Sequence, residues 1–321
     1  MFINKQSIAK NTKAFRSFAD VDLKSYLGTS RLIGFGENPH GIREYYPIVR
    51  DLVQDNLVRG CKVLVLLENE YWLNHVLDDF VHGRSDEFTR HTFYDPSISA
   101  LYGAGLRQFY TDLQELNRSF PEKLTCRHID YFMNPLNQER SDIVKSVDPV
   151  KLASSDDIRQ LQKDKNYQQF AEAREQFIFQ EAIEAQQEIQ PDVTILLMGS
   201  FHVGKQGGFP FGDVFVKSVM ARLAEFMNSK PVSIRFSVLT GEYAKVELRN
   251  NMLIKVPLNC EEWRQEGIQI EFQKVICELS GDAFITDLSN INMPEGLAIS
   301  YKDWVANHDY MITLRYASPD N

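Results

Sequence analysis

Short apolar runs alternate with amphipathic stretches along this chain, and several of the runs end in a charged or imidazole side chain. Arg31-Leu32-Ile33-Gly34-Phe35 passes into Gly36-Glu37-Asn38-Pro39-His40, and Lys62-Val63-Leu64-Val65-Leu66-Leu67 ends in Glu68. Leu124–Ile129 ends at Asp130, and Val193–Met198 runs into Gly199-Ser200-Phe201-His202. Continuous apolar runs of this length predict strands covered on both faces. Val232–Leu239 and Asp309–Leu314 read as further strands. Between them Tyr45, Val49, Leu52, Val53 and Leu57 recur at helical spacing, with Arg59-Gly60 as a stop. Leu73–Val81, Leu106–Leu116 and residues 213–227 also read as helices, the last after a loop holding Gly204, Gly207, Gly208, Pro210 and Gly212. Pro96, Gly103 and Gly105 mark turns. Residues 151–190 are polar, with Phe170, Phe177, Ile178 and Ala182 as one narrow apolar stripe of a solvated helix.

This alternation predicts an α/β fold: a mostly parallel central sheet flanked by helices. The expected organisation is a single domain over 1–321. Residues 72–120 and 135–190 are helical insertions that form a cleft over the C-terminal strand edge. The C-terminal part before the last strand reads as irregular.

The bulk properties narrow the function classes. The chain has 321 residues, 43% of them hydrophobic, and a net charge of -9, which disfavours a nucleic-acid surface. No run approaches the ~18 apolar residues of a membrane span, and the polar segment from Met1 to Asp20 lacks a signal peptide's apolar core. Four cysteines without a Cys-x-x-Cys pair suit a reduced, cytoplasmic chain. The expected partner is a small molecule, with no nucleic acid and no membrane, and the oligomeric state is left open.

In a parallel sheet, strands joined by single helices finish on one edge, where ligands bind. Glu37, His40, Glu68 and His202 therefore converge. A carboxylate-oriented imidazole is what a general base for water requires. Asn38-Pro39 reads as a helix start, which would set His40 at a helix N-terminus. The same four side chains also make a donor set for a divalent metal with an open position for water. Tyr71 and Trp72, just past Glu68, fall at the mouth of the site, whereas His75, His82 and His91 and the aromatic set Tyr45, Tyr46, Phe93, Tyr94 and Tyr102 suit packing. Gly34-Phe35-Gly36 is not a dinucleotide fingerprint, because Pro39 stands at the third glycine. Ser200 lacks a nucleophile elbow and reads as a turn cap. Lys205 with Gly207-Gly208 could form an anion nest or a rim loop.

Gly36-Glu37-Asn38-Pro39-His40-Gly41 resembles the Gly-Glu-x-x-His-Gly signature of the erythromycin esterase-like family, part of a superfamily that includes ChaN-like haem-binding proteins. Glu68, the segment from Asn74 to Gly83, His128-Ile129-Asp130, Arg174 and Gly199-Ser200-Phe201-His202-Val203-Gly204-Lys205 follow in the family's order. The resemblance implies metal-free, cofactor-free hydrolysis of an ester, lactone or amide. His40 would be the base toward water, Glu37 and Glu68 would support it, and His202 and Arg174 would face the developing oxyanion. Tyr71, Trp72, Asp130, Ser200 and Lys205 are the expected substrate contacts. Gly199 stands where the family carries a histidine, so macrolide substrates do not carry over. Acyl transfer, elimination or cyclisation on the same scaffold, and a haem- or metal-binding role, are the alternatives.

Overall fold

The computed structural model describes residues 5–16, 20, 22–85, 104–131, 148–208, 215–247, 252–259, 272, 274–291 and 305–319. Pro96, Gly103, His91, Phe93, Tyr94, Tyr102, Pro210 and Gly212 lie outside them.

In chain order the elements are α1 (Lys5–Lys10), β1 (Thr12–Phe15), α2 (Lys24–Leu27), β2 (Leu32–Glu37), α3 (Tyr45–Val58) and β3 (Val63–Glu70). They continue with α4 (Asn74–Val81), α5 (Ala104–Ser119), β4 (Leu124–Asp130), α6 (Pro149–Lys163), α7 (Tyr167–Ile189) and β5 (Val193–Gly199). The last are α8 (Val219–Phe226), β6 (Val232–Glu247), β7 (Met252–Asn259), β8 (Ala283–Asp287) and β9 (Tyr310–Ala317). The strands form one sheet in the order β1-β8-β9-β6-β2-β5-β3-β4, with β7 hydrogen-bonded to β6. The centre is parallel, as expected: β2 pairs with β5 and β6, and β3 pairs with β5 and β4. β1, β7 and β8 add antiparallel margins.

Strand alternation distributes the core over two faces. Phe35, Val63, Val65, Leu67 and Phe236 pack beneath α3 and α5. Leu64, Leu66, Leu196 and Met198 pack with Ile178 of α7 and with Val203 and Met220. Gly34 and Gly36 permit this second layer to close. A Cβ on Gly36 would lie 2.7 Å from the Ser200 Cα and 2.8 Å from Val203, and one on Gly34 2.8 Å from the Val203 Cβ. The two glycines thus let the chain after β5 lie directly on β2.

One irregularity sets up the site. Leu67 pairs with His128 and Glu70 with Asp130, so two residues of β3, Glu68 and Asn69, oppose the single Ile129 of β4. This β-bulge interrupts the ladder with β4 at the strand end. Glu68 is left toward the α7 face and Asn69 toward the α5 face.

Several expectations are corrected. Residues 151–190 form two helices, because Lys165 takes a positive φ of 57° and Asn166 starts α7 by accepting a hydrogen bond from the Gln169 N–H. The helix expected over 213–227 begins at Val219, after Ser218, whose Oγ accepts from the Ala221 N–H at 3.1 Å. The C-terminal part holds β8 as well as β9, and β6 runs on to Glu247. The Asn38–Pro39 peptide bond is cis and α3 starts only at Tyr45, so His40 lies in the turn before the helix, not at its N-terminus. Among the described residues no helix is long and apolar enough to cross a membrane.

Candidate active site

The C-terminal ends of β2, β3 and β5 lie side by side, and the bulge and the loop after β5 bring their side chains together. His40 Nδ1 is 2.7 Å from Glu37 Oε2. Glu68 reaches across the edge: its Oε1 accepts from Arg174 Nη2 at 2.6 Å and lies 3.2 Å from His202 Nε2, and its Oε2 accepts from the Gly199 N–H. Arg174 also holds Asp130, with Nε and Nη2 at 3.2 and 2.5 Å from the two oxygens. Glu68, His202, Arg174 and Asp130 thus form one network, and the Glu37–His40 pair lies beside it, with Glu37, His40 and Glu68 lining one small cavity.

Two further residues of the site were not legible in the sequence. Glu175 is buried, makes an ion-pair contact with His202 Nδ1, and accepts the Val219 N–H at the start of α8 at 2.7 Å. Adjacent helical residues diverge by ~100°, so nothing in the spacing of Arg174-Glu175 shows that both turn toward the site. Asn69, the other bulge residue, lines a small cavity with Glu37, His40 and Glu68.

Other expected contacts lie elsewhere. Tyr71 and Trp72 are buried: Tyr71 packs on Phe177, and Trp72 donates to Glu70 Oε2 at 2.5 Å. Asp130 is fully buried on Arg174, with no surface left for a ligand. Ser200 donates its backbone N–H to the Glu37 carbonyl at 3.1 Å, and Arg235 Nη1 approaches its Oγ at 3.4 Å. Lys205 pairs with Asp309 at 2.7 Å, and Asn307 accepts from the N–H groups of Gln206 and Gly207, which occupies the donors that an anion nest would have offered. His75 and His82 bond carbonyls of their own helical segment at 3.0 and 2.9 Å.

The carboxylates set the charge states. Burial pushes the His40 imidazole down, but the hydrogen bond to Glu37 and the charges of Glu68 and Glu37 carry it up to about 9. For His202, burial is likewise outweighed by Glu175 and Glu68, and the ring rises to about 10. Burial would raise Glu68, yet His202 and Arg174 hold it well below the usual carboxylate range. At neutral pH the site is therefore two imidazoliums, a guanidinium and their carboxylates.

A histidine raised from 6.5 to about 10 in the folded state contributes stability that is complete below about 6.5 and is lost as pH climbs through about 10. The melting temperature is accordingly expected to fall over this range. Glu175→Gln should flatten that slope; an unchanged slope would show that Glu175 does not hold the imidazolium.

Of the metal-donor set Glu37, His40, Glu68 and His202, Glu37 Oε1 is left without a hydrogen-bond partner. Glu37 and His40 bind each other, and both Glu68 oxygens are engaged. Among the described residues no group of three His, Cys, Asp or Glu side chains is arranged to hold a metal ion.

Gly199 is not a gap in the wall. A Cβ there would lie 3.1 Å from both Glu68 Oε2 and His40 Nε2. Those two side chains occupy the place where a larger residue would stand, and the glycine lets them approach the strand. Gly199→Ala is expected to displace the partly exposed His40 ring, lowering turnover about tenfold with a stability change under ~1 kcal/mol. Equal activity of the two proteins would show that the close approach is dispensable.

With this geometry in place, comparison with solved structures shows what the fold is like. The chain is similar to a Bacillus cereus protein of known structure, with a TM-score of 0.68 and 15% identity over 99% of this chain and 98% of that one. It is similar to a succinoglycan biosynthesis protein, with a TM-score of 0.67 and 14% identity over 99% and 97%. It is also similar to a histidine-to-asparagine variant of the erythromycin esterase EreC in its open conformation, with a TM-score of 0.65 and 13% identity over 97% and 98%. The chain shares their fold. No protein-family model and no curated protein matches it.

Proposed function

We propose that the protein hydrolyses an ester, lactone or amide of a small molecule, with His40 as the base toward water. The observation that carries this reading is the Glu37–His40 pair, 2.7 Å apart, at the same strand edge as the Glu68–Arg174–Asp130 network. The activity named for the erythromycin esterase of the same fold agrees with it.

Glu37 binds Nδ1, which fixes the ring and leaves Nε2 as the atom that exchanges a proton. The neutral ring takes a proton from water as the water oxygen attacks the acyl carbon. The proton then returns to the leaving oxygen or nitrogen as that bond breaks. Arg174 serves Glu68 and Asp130 through Nε and Nη2, leaving Nη1 unengaged among the described residues, and His202 is held as a cation. Both supply positive charge for the oxyanion.

Because His40 is raised to about 9, the base form is scarce at neutral pH, and kcat/KM should climb roughly tenfold per pH unit up to that value. Glu37→Gln leaves only a neutral acceptor for Nδ1 and removes one of the charges that raise the ring, so the limb should move to lower pH. The test is a panel of chromogenic esters and lactones in 18O-labelled water. Solvent oxygen in the acid product, with a limb that shifts in Glu37→Gln, is the expected result. A product without label, or a limb that Glu37→Gln leaves in place, would overturn the assignment.

A further inference from the structure

The cavity beside His40 measures about 20 Å³, the space of a single water molecule. Its walls are apolar at Tyr46, Leu106 and Leu197, and its polar lining includes Glu37 and Asn69. Two acceptor atoms of that lining are uncommitted. Glu37 Oε1 is buried without a hydrogen-bond partner, its Oε2 being taken by His40. Among the described residues the Asn69 amide bonds through Nδ2 alone, which donates to the Tyr110 hydroxyl at 3.2 Å, so Oδ1 is the atom left to the cavity.

What fixes the amide in this sense lies behind it. Tyr110 and His128 are fully buried, and the tyrosine oxygen is 2.8 Å from His128 Nε2. Burial pushes the His128 imidazole down to about 3, against a hydrogen bond with the Glu70 backbone. The ring is therefore neutral, and the Tyr110 hydroxyl lies between its Nε2 and the Asn69 Nδ2, accepting from the amide and so placing its own proton on the His128 side. In this arrangement Asn69 turns its NH₂ to Tyr110 and its carbonyl oxygen to the cavity.

We propose that Asn69 orients the attacking water, with Tyr110 and His128 as positioning residues that set its amide. This rests on the hydrolase reading given above. One water O–H bonds Asn69 Oδ1 and the other faces the Glu37–His40 pair, which leaves a lone pair for the acyl carbon. As the new C–O bond forms, the proton on the second O–H passes to that pair and later leaves with the departing group. Asn69 stays hydrogen-bonded throughout and exchanges no proton.

High-resolution crystal structures of the full chain, wild type, Tyr110→Phe and Asn69→Leu, combined with kinetics on the ester found above, test the assignment. A water bonded to Asn69 Oδ1 is expected in the wild type and absent in Asn69→Leu. Tyr110→Phe should lower kcat about tenfold, what a single hydrogen bond commands, with KM and the pH limb unchanged. Asn69→Ala enlarges the cavity and should raise the share of methyl ester severalfold when methanol competes with water. A merely structural role for Asn69 would not move that share. An empty wild-type cavity, an Oδ1 turned toward Tyr110, or an unchanged kcat in Tyr110→Phe overturns the proposal and leaves the hydrolase reading standing. If no ester is turned over, that reading falls and the crystallographic arm decides alone on the water site.

Discussion

Replacing His40 by Asn is expected to lower turnover of a hydrolysed ester by about 10²–10⁴-fold, the contribution of a positioned general base. Asparagine is close to imidazole in size and can still meet Glu37, but its amide cannot take a proton near neutral pH. The side chain of His40 is 41% exposed and its hydrogen bond runs only to a residue three positions away, so the fold should be indifferent to the change. An unaltered circular dichroism spectrum and melting temperature alongside the lost turnover would place the effect in chemistry. Full activity of the variant would remove His40 from the mechanism.

The second large effect falls on stability. Arg174→Met leaves Glu68 and the fully buried Asp130 without the cation that both share. Breaking a buried ion pair by deleting one partner costs about 3–5 kcal/mol, because the remaining charge stays desolvated. Urea denaturation should show a loss in that range, and Arg174→Lys should recover only part of it, since an ammonium cannot reproduce the fork held by Nε and Nη2. The double variant Arg174→Met/Asp130→Asn should be more stable than Arg174→Met alone, because it removes the orphaned charge. If the single variant lost under 1 kcal/mol, the network would be decoration rather than support.

The centre of the sheet was legible because burial on both faces leaves unbroken apolar runs. Val63–Leu67 and Val193–Met198 are strands in the structure, each extended slightly at its C-terminal end. The margins were less so. β1 reads Thr-Lys-Ala-Phe and is half exposed, which no apolar run marks, and α6 and α7 merge in sequence because the three-residue break between two polar helices, Asp164 to Asn166, carries no Gly or Pro to mark it. At the site, Glu37, His40, Glu68 and His202 could be found because each ends a recognisable strand. Asn69 could not, since its partner Tyr110 lies 41 positions away and the pairing depends on how α5 packs on the sheet. Tyr71 and Trp72 were misplaced for a related reason: the strand continues to Glu70, and the chain then turns both rings inward.

The extra residue in β3 bears on how this surface could be altered. Excising one of Glu68 or Asn69 would let the ladder with β4 run without interruption, giving a more regular sheet. It would also delete or turn away one half of the polar edge. Regular pairing and a reactive rim are thus competing outcomes at this single position, with a one-residue change in length as the switch between them. Searches for altered activity on this framework should vary length here as well as side chains, because a deletion re-aims a whole strand tip that no substitution can rotate.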